Sequence, residues 1–246
     1  MHGHELIFRR SYRAYLCNNA VLQPTSFTAH AATNKLIETP FRELDGKTIK
    51  EKYGLENPRC LDNVLANPIG VNAAFRTTDG YLIVVERSDK LAQYPGLWGV
   101  PAGFMNPDKD KTPFDTASRD ASIEEVGRKM AEARLLELGR ALDDWHVEII
   151  MEGIIDGTSS QVKSAPKSGE WEAKGRYLVP FDPRSCAAYL AKMIEKIPPS
   201  VPESAWITGK SPKWVPAHWR TVYLALARIH GQDEVEKELD IALKAD

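Results

Sequence analysis

The residues best placed to do chemistry lie between Gly103 and Gly127, where a loop containing glycine leads into an acidic segment that closes as Glu124-Glu125-Val126-Gly127. Arg119 and Asp120 stand just upstream of the glutamate pair. At roughly 100° per residue on a regular helix, Asp120 and Glu124 share one face. From Asp120 to Glu125 the angle opens to about 140°, so on that geometry Glu125 points partly away. Such a charge run is either a working cluster of carboxylates or a solvated helix face.

The segment resembles the Nudix box, a loop and helix with the pattern G-x5-E-x7-R-E-U-x-E-E-x-G-U, where U is aliphatic. Pro95-Gly-Leu-Trp-Gly-Val-Pro-Ala-Gly103 is similar to the approach to that box. The resemblance implies an α/β (α+β) fold, a Nudix-type α/β/α sandwich with a mixed sheet. It also implies that the helix carboxylates, here Asp120, Glu124 and Glu125, hold Mg²⁺ or Mn²⁺, hard cations that prefer oxygen ligands. The implied reaction is hydrolysis of the pyrophosphate of a nucleoside diphosphate joined to another group. Glu124, Glu125 and Arg119 are the expected catalytic residues, and Arg87, Trp98, Gly103 and Glu170 the expected substrate contacts. Arg87 and Arg119 suit phosphate oxygens or the orientation of carboxylates, and each also suits a structural ion pair. Trp98 suits stacking on a base or packing in the core. Glu170 and Glu172, after a polar loop, are placed to supply a base or a further ligand.

This sequence departs from the pattern in two places. Lys109 occupies the position of the first glutamate, with Asp108 and Asp110 as acidic neighbours. The distance from Gly103 to the glutamate pair is three residues longer, and one of the extra residues falls inside the helix. Two registers follow. A single π turn between Asp120 and Glu124 would absorb the extra residue and keep Arg119, Asp120, Glu124 and Glu125 in place of the pattern's residues. With the Glu-Glu-x-Gly end held fixed, Asp120 instead replaces the arginine and Ala121 the glutamate, so one ligand is lost. In the second register the protein is a Nudix-fold nucleotide-binding or regulatory module that has lost catalysis.

The strands that must position the box are legible as Ile69 to Phe75, a turn at Asp79-Gly80, and Tyr81 to Arg87. A helix is expected from Pro113 to Val126, with Gly127 past its end. Further strands are expected near 134–142, 147–155 and 171–181, and helices over 46–53, 184–197 and 217–245. These divide the chain into an extension over 1–65, a core over 66–182 and a helical C-terminal extension over 183–246 packed on the core. Residues 67–75, 79–88 and 95–103 are similar to the Nudix branch that hydrolyses UDP-glucose and UDP-galactose. Phe27 to Ala32 loosely resembles the first strand of that branch.

The 246 residues carry 32 basic and 34 acidic side chains, a balance of 32 − 34 = −2 that rules out a basic nucleic-acid coat. A hydrophobic share of 43% supports a packed core. Cys17, Cys60 and Cys186 lack zinc or disulfide spacing and read as free thiols in a reducing compartment. No stretch reaches the roughly 18 apolar residues of a membrane span, so the expectation is a cytoplasmic protein; the resemblance implies a small nucleotide as partner and allows a homodimer. Thr208-Gly209-Lys210-Ser211 fails as a phosphate loop because Ser204 stands where its first glycine is needed. Trp206, Trp214 and Trp219 read as core or dimer packing.

Overall fold

In the computed structural model, residues 12–14, 25, 27–34, 36–55, 65–91, 93–141, 145–166, 173–194 and 211–245 are described. Among them an eight-stranded mixed sheet forms from β1 (Tyr12–Ala14), β2 (Ile69–Arg76), β3 (Tyr81–Arg87), β4 (Trp98–Gly99), β5 (Ala102–Phe104), β6 (Met130–Ala141), β7 (Val147–Ile155) and β8 (Ala173–Pro180). The order is β1-β6-β7-β2-β3-β4, with β5 also on β2 and β8 also on β3. Only β2 and β7 run parallel among the registered pairs of this sheet. Strands β2 and β7 are Val-, Ile- and Ala-rich and almost continuously buried, as expected of strands covered on both faces.

The sheet opens where the site is built. After their turn, β2 and β3 pair in register at Arg76 and Leu82, then separate, β2 toward β7 and β3 toward β8. The segment from Trp98 to Phe104 bridges the gap: β4 pairs with β3 at Val85 and Glu86, and β5 pairs with β2 at residues 70–72.

Two helical layers cover the sheet, as the α/β/α sandwich requires. On one face, α3 begins as an α turn (Pro113–Thr116), continues as a π helix (Ala117–Glu124), and packs Ala117, Ala121 and Val126 on Val71, Phe75, Ile83 and Met151. Short helix α4 (Ser159–Ser164) adds Val162 to the same core. On the other face lie α5 (Pro183–Leu190), α6 (Pro216–His230) and α7 (Gln232–Ala245), whose Leu190, Trp219, Val222, Leu226 and Leu239 share a core with Leu82, Val84 and Val179. Arg220 makes a two-pronged pair with Glu137 at 2.9 and 2.6 Å, and Arg228 pairs with Glu152 at 2.5 Å, both from α6 to the sheet. A third cluster, Ile37, Ile49, Leu55, Leu65 and Trp145, gathers α2 (Ile49–Tyr53) and its surroundings at one end.

Several sequence expectations change here. Phe27 to Ala32 forms a helix, α1 (Phe27–Thr33), where the resemblance pointed to a strand; its three alanines favour helix. The helix expected over 184–197 stops at Leu190 and is followed by strand β9 (Met193–Ile194), which pairs with β10 (Ser211–Pro212). The helix expected over 217–245 is two, separated by Gly231 at φ 90°, a conformation that suits glycine. Cys186 is buried under the sheet and its thiol is pushed up to about 12, chiefly by burial, so it is unreactive. Cys17 and Cys60 lie outside the described residues. No helix among the described residues is long and apolar enough to cross a membrane.

Candidate active site

The site starts from local signals. Thr112 caps α3: its hydroxyl accepts the amide of Asp115, whose carboxylate in turn accepts the Thr112 amide. Pro113 fills the first helical position. The helix then widens. The Glu125 amide donates to the carbonyl of Asp120, five residues back, which is the π bond that the extra residue calls for. Buried pairs recur at Thr116 and Ala117, at Ala121 and Ser122, and at Glu125 and Val126, a spacing of five and then four. A regular helix would rotate one of these pairs out of the core, and the wide turn retains all three.

The wide turn has a visible consequence for the carboxylates. Asp120 Oδ2 and Glu124 Oε1 each lie 3.4 Å from the same atom, Nη1 of Arg119. The rest of the guanidinium grips Asp110, with Nε to Oδ1 at 2.9 Å and Nη2 to Oδ2 at 2.7 Å. Of the two acidic neighbours of Lys109, Asp110 is therefore the one that faces the helix. Its side chain is 1% exposed and also accepts the Asn106 amide at 2.8 Å and the Thr116 hydroxyl at 3.0 Å. Arg119 also donates to the Phe104 carbonyl at 3.4 Å, which ties the helix to β5.

The electrostatics follow from this geometry. The Arg119 hydrogen bond holds the Asp110 carboxyl below its ordinary value, against the opposing effect of burial, and the Asn106 amide and Thr116 hydroxyl assist. Arg119 is itself stabilised as a cation, first by Asp110 and then by Asp120 and Glu124. A depressed folded value means that the pair stabilises the fold above the ordinary carboxylate range and that this contribution disappears as pH falls through the depressed value. Acid titration of stability should accordingly show a component below pH 3.8, the ordinary value for this group, that is missing in Asp110→Asn; equal acid profiles for the two proteins would refute it.

Gly103 meets the helix directly. A Cβ built there would lie 2.2 Å from Asp120 Oδ2, 2.4 Å from Cγ and 2.6 Å from Cβ, so only glycine lets β5 lie flush against Asp120. Next to it, the Ala102 amide donates to Glu125 Oε2 at 3.1 Å, and Glu125 is buried. The far end of α3 is held by Gly127 at φ 74° and by Arg176 of β8, which donates to the carbonyls of Val126 and Ala165.

The expected residues thus separate into groups. Arg119, Asp120, Glu124 and Gly103 are brought together, and Glu125 sits behind them on the Ala102 amide. Asp120 is 18% exposed and Glu124 45%, so Glu124 is the carboxylate most open to solvent. Arg87 donates from Nη2 to the Gln93 carbonyl at 3.1 Å and orders the loop before β4. The Trp98 ring lies under the Lys213 ammonium at 4.1 Å and beside Tyr189 at 5.3 Å, within the C-terminal layer. Glu170 and Glu172 lie outside the described residues. Thr116, Asn106, Arg176 and His218 contribute to the site without a sequence signal that singled them out.

The donors are all hard oxygens, the type a divalent cation such as Mg²⁺ prefers. Among the described residues, no group of three or more His, Cys, Asp or Glu is arranged to hold a metal ion. Asp120 and Glu124 nevertheless fit the usual Mg²⁺ environment, in which one or two carboxylates combine with substrate phosphates and waters rather than forming a protein cage.

No protein-family profile matches the chain. Over 43 residues it is 46% identical to the bovine (Bos taurus) and human (Homo sapiens) proteins named uridine diphosphate glucose pyrophosphatase NUDT22, a stretch covering 18% of this chain and 15% and 14% of those proteins. The chain therefore matches about one seventh of the length of these curated relatives. Among solved structures it is similar to a MutT NUDIX hydrolase from Burkholderia pseudomallei, at 20% identity, 46% of this chain, 83% of that chain and TM-score 0.36. It is also similar to the NUDIX domain of Shewanella oneidensis NrtR complexed with ADP ribose, at 22% identity, 37% and 62% coverage and TM-score 0.32.

Proposed function

We propose that this chain, whose mixed sheet and wide-turned acidic helix resemble the Nudix pattern, is a divalent-cation-assisted hydrolase that cleaves the pyrophosphate of a nucleoside diphosphate derivative, with nucleotide sugars of the UDP-glucose kind as its foremost substrates. The observation that carries the reading is the convergence of Asp120 and Glu124 on one nitrogen of Arg119 across a π turn, with Gly103 flush behind Asp120. The sugar-nucleotide preference rests on the short match to the two pyrophosphatases named above.

Asp120 and Glu124 would hold the cation. When bound, Mg²⁺ or Mn²⁺ supplies neutralisation of the diphosphate charge and a more acidic water. Glu124, half exposed at the rim, is placed to accept the proton of the attacking water. Water oxygen bonds to one phosphorus as the bridging P–O bond breaks, leaving a phosphomonoester on each product. Arg119 acts through the carboxylates it orients, since its guanidinium is already committed to Asp110, Asp120, Glu124 and the Phe104 carbonyl.

The test is Mg²⁺- or Mn²⁺-dependent release of nucleoside monophosphate from a panel of UDP-sugars, ADP-ribose, dinucleoside polyphosphates and NADH. Glu124→Gln should lower kcat by about 10²-fold or more while leaving the thermal midpoint nearly unchanged. A wild-type rate in that variant would remove Glu124 from the mechanism. The two-carboxylate set also favours a second reading, a nucleotide-binding module without turnover. Tight binding of one panel member with no product from any of them would select it.

A further inference from the structure

Six consecutive residues, Trp98 to Gly103, run between two different sets of partners. Toward the carboxylates, Ala102 donates to Glu125 and Gly103 abuts Asp120. Toward the C-terminal layer, the Trp98 amide donates to the Lys213 carbonyl at 2.7 Å, and its carbonyl accepts the Val215 amide at 2.9 Å. Between these, the Val100 amide donates to Nδ1 of His218, on the first turns of α6, at 3.1 Å. The fit is tight at this point: a Cβ on Gly99 would lie 2.2 Å from the same Nδ1. The Pro101 carbonyl then accepts the Ala73 amide of β2 at 3.0 Å, fixing the remaining freedom of the crossing.

We propose that His218 is a positioning residue for the acidic cluster: by accepting the Val100 amide it sets the position of the strand crossing that seats Ala102 on Glu125 and Gly103 on Asp120. The backbone amide can only donate, so Nδ1 must carry its lone pair and the ring must be neutral. The surroundings enforce this. Burial, Arg87 from β3 and His146 ahead of β7 all hold the imidazole well below its ordinary value. The contact therefore persists through the ordinary imidazole range and is lost at lower pH, as the ring takes up a proton beside Arg87. In this way α6, which lies outside the box, becomes part of the machinery that aligns it.

The consequence for turnover rests on the catalytic reading above, but the structural consequence does not. Residue-resolved amide hydrogen exchange at pH 7 is the primary test. His218→Leu should speed exchange of Val100 and Ala102 by about tenfold relative to β7, the worth of one net hydrogen bond. His218→Asn, whose Oδ1 can take the place of Nδ1, should restore both rates to within about threefold. Unchanged rates in the leucine variant, or equal acceleration in the asparagine variant, would overturn the inference. Should the leucine variant not fold, the wild-type protein decides: the Val100 amide resonance must follow the His218 imidazole titration, and independence of the two overturns the proposal. In turnover assays the leucine variant should lose kcat with KM retained and the asparagine variant should recover it. If no substrate is turned over at all, the catalytic reading falls and the exchange rates still decide the role of His218.

Discussion

Replacing Arg119 with leucine is expected to lower the free energy of unfolding by about 3 kcal/mol, one of the largest losses available to a single side chain in this protein. The reason is the company it keeps. Asp110 is almost wholly buried and meets the guanidinium through two hydrogen bonds at 2.9 and 2.7 Å. Without Arg119 a buried carboxylate loses its counter-charge, and Asp120 and Glu124 lose the cation that offsets their mutual repulsion. Urea unfolding measures the loss. Asp110→Asn should be costly by itself, and the double variant should lose less than the sum of the two singles because they share one interaction. Strict additivity would show that the pair is not coupled. A lysine at 119 should rescue only part of the loss, because an ammonium cannot reproduce the two-pronged geometry.

The second large effect is expected from Gly103→Ala. One added methyl overlaps Oδ2, Cγ and Cβ of Asp120. The overlap with Cβ cannot be relieved by swinging the carboxylate alone, so β5 or α3 must shift. Overpacking of this kind costs about 1–3 kcal/mol. The effect on catalysis is larger than the effect on stability. A displacement near 1 Å of a positioned group lowers turnover by about 10²-fold, and Asp120 is one of the two carboxylates expected to hold the cation. Comparing kcat with the unfolding midpoint separates the two: kcat should collapse at temperatures where the variant remains folded. A variant with wild-type kcat would mean that contact between β5 and Asp120 does not govern the site.

These expectations depend unequally on what was legible in the sequence. The hairpin of β2 and β3 was readable from its apolar runs and the Asp79-Gly80 turn. The π turn was readable as one of two registers, because one residue too many stands between Arg119 and the glutamate pair, and the structure selects it. Asp108 and Asp110 were readable only as the acidic neighbours of Lys109, without a partner for either. Choosing between them needs the loop, where Asn106 turns the chain so that Asp110 faces inward. The single helix expected over 217–245 is broken at Gly231, whose φ of 90° a continuing helix cannot hold. His218 could not have been found: it meets Val100 across 118 residues, and nothing near either residue announces the other.

Sequence alone therefore determined what depends on neighbours within four or five positions: the proline start and glycine stop of α3, the apolar runs of β2 and β3, and the widened turn as one of two registers. Caps and helical periods are short-range, so the local order of residues specifies them. Only the tertiary structure decided that Glu125 turns inward to the Ala102 amide, that Asp110 rather than its neighbour pairs with Arg119, and that a C-terminal histidine supports the crossing strand. Those contacts exist because β2 and β3 part and a six-residue segment spans the opening between them. They are set by which surfaces the folded sheet brings face to face, and no local pattern encodes that.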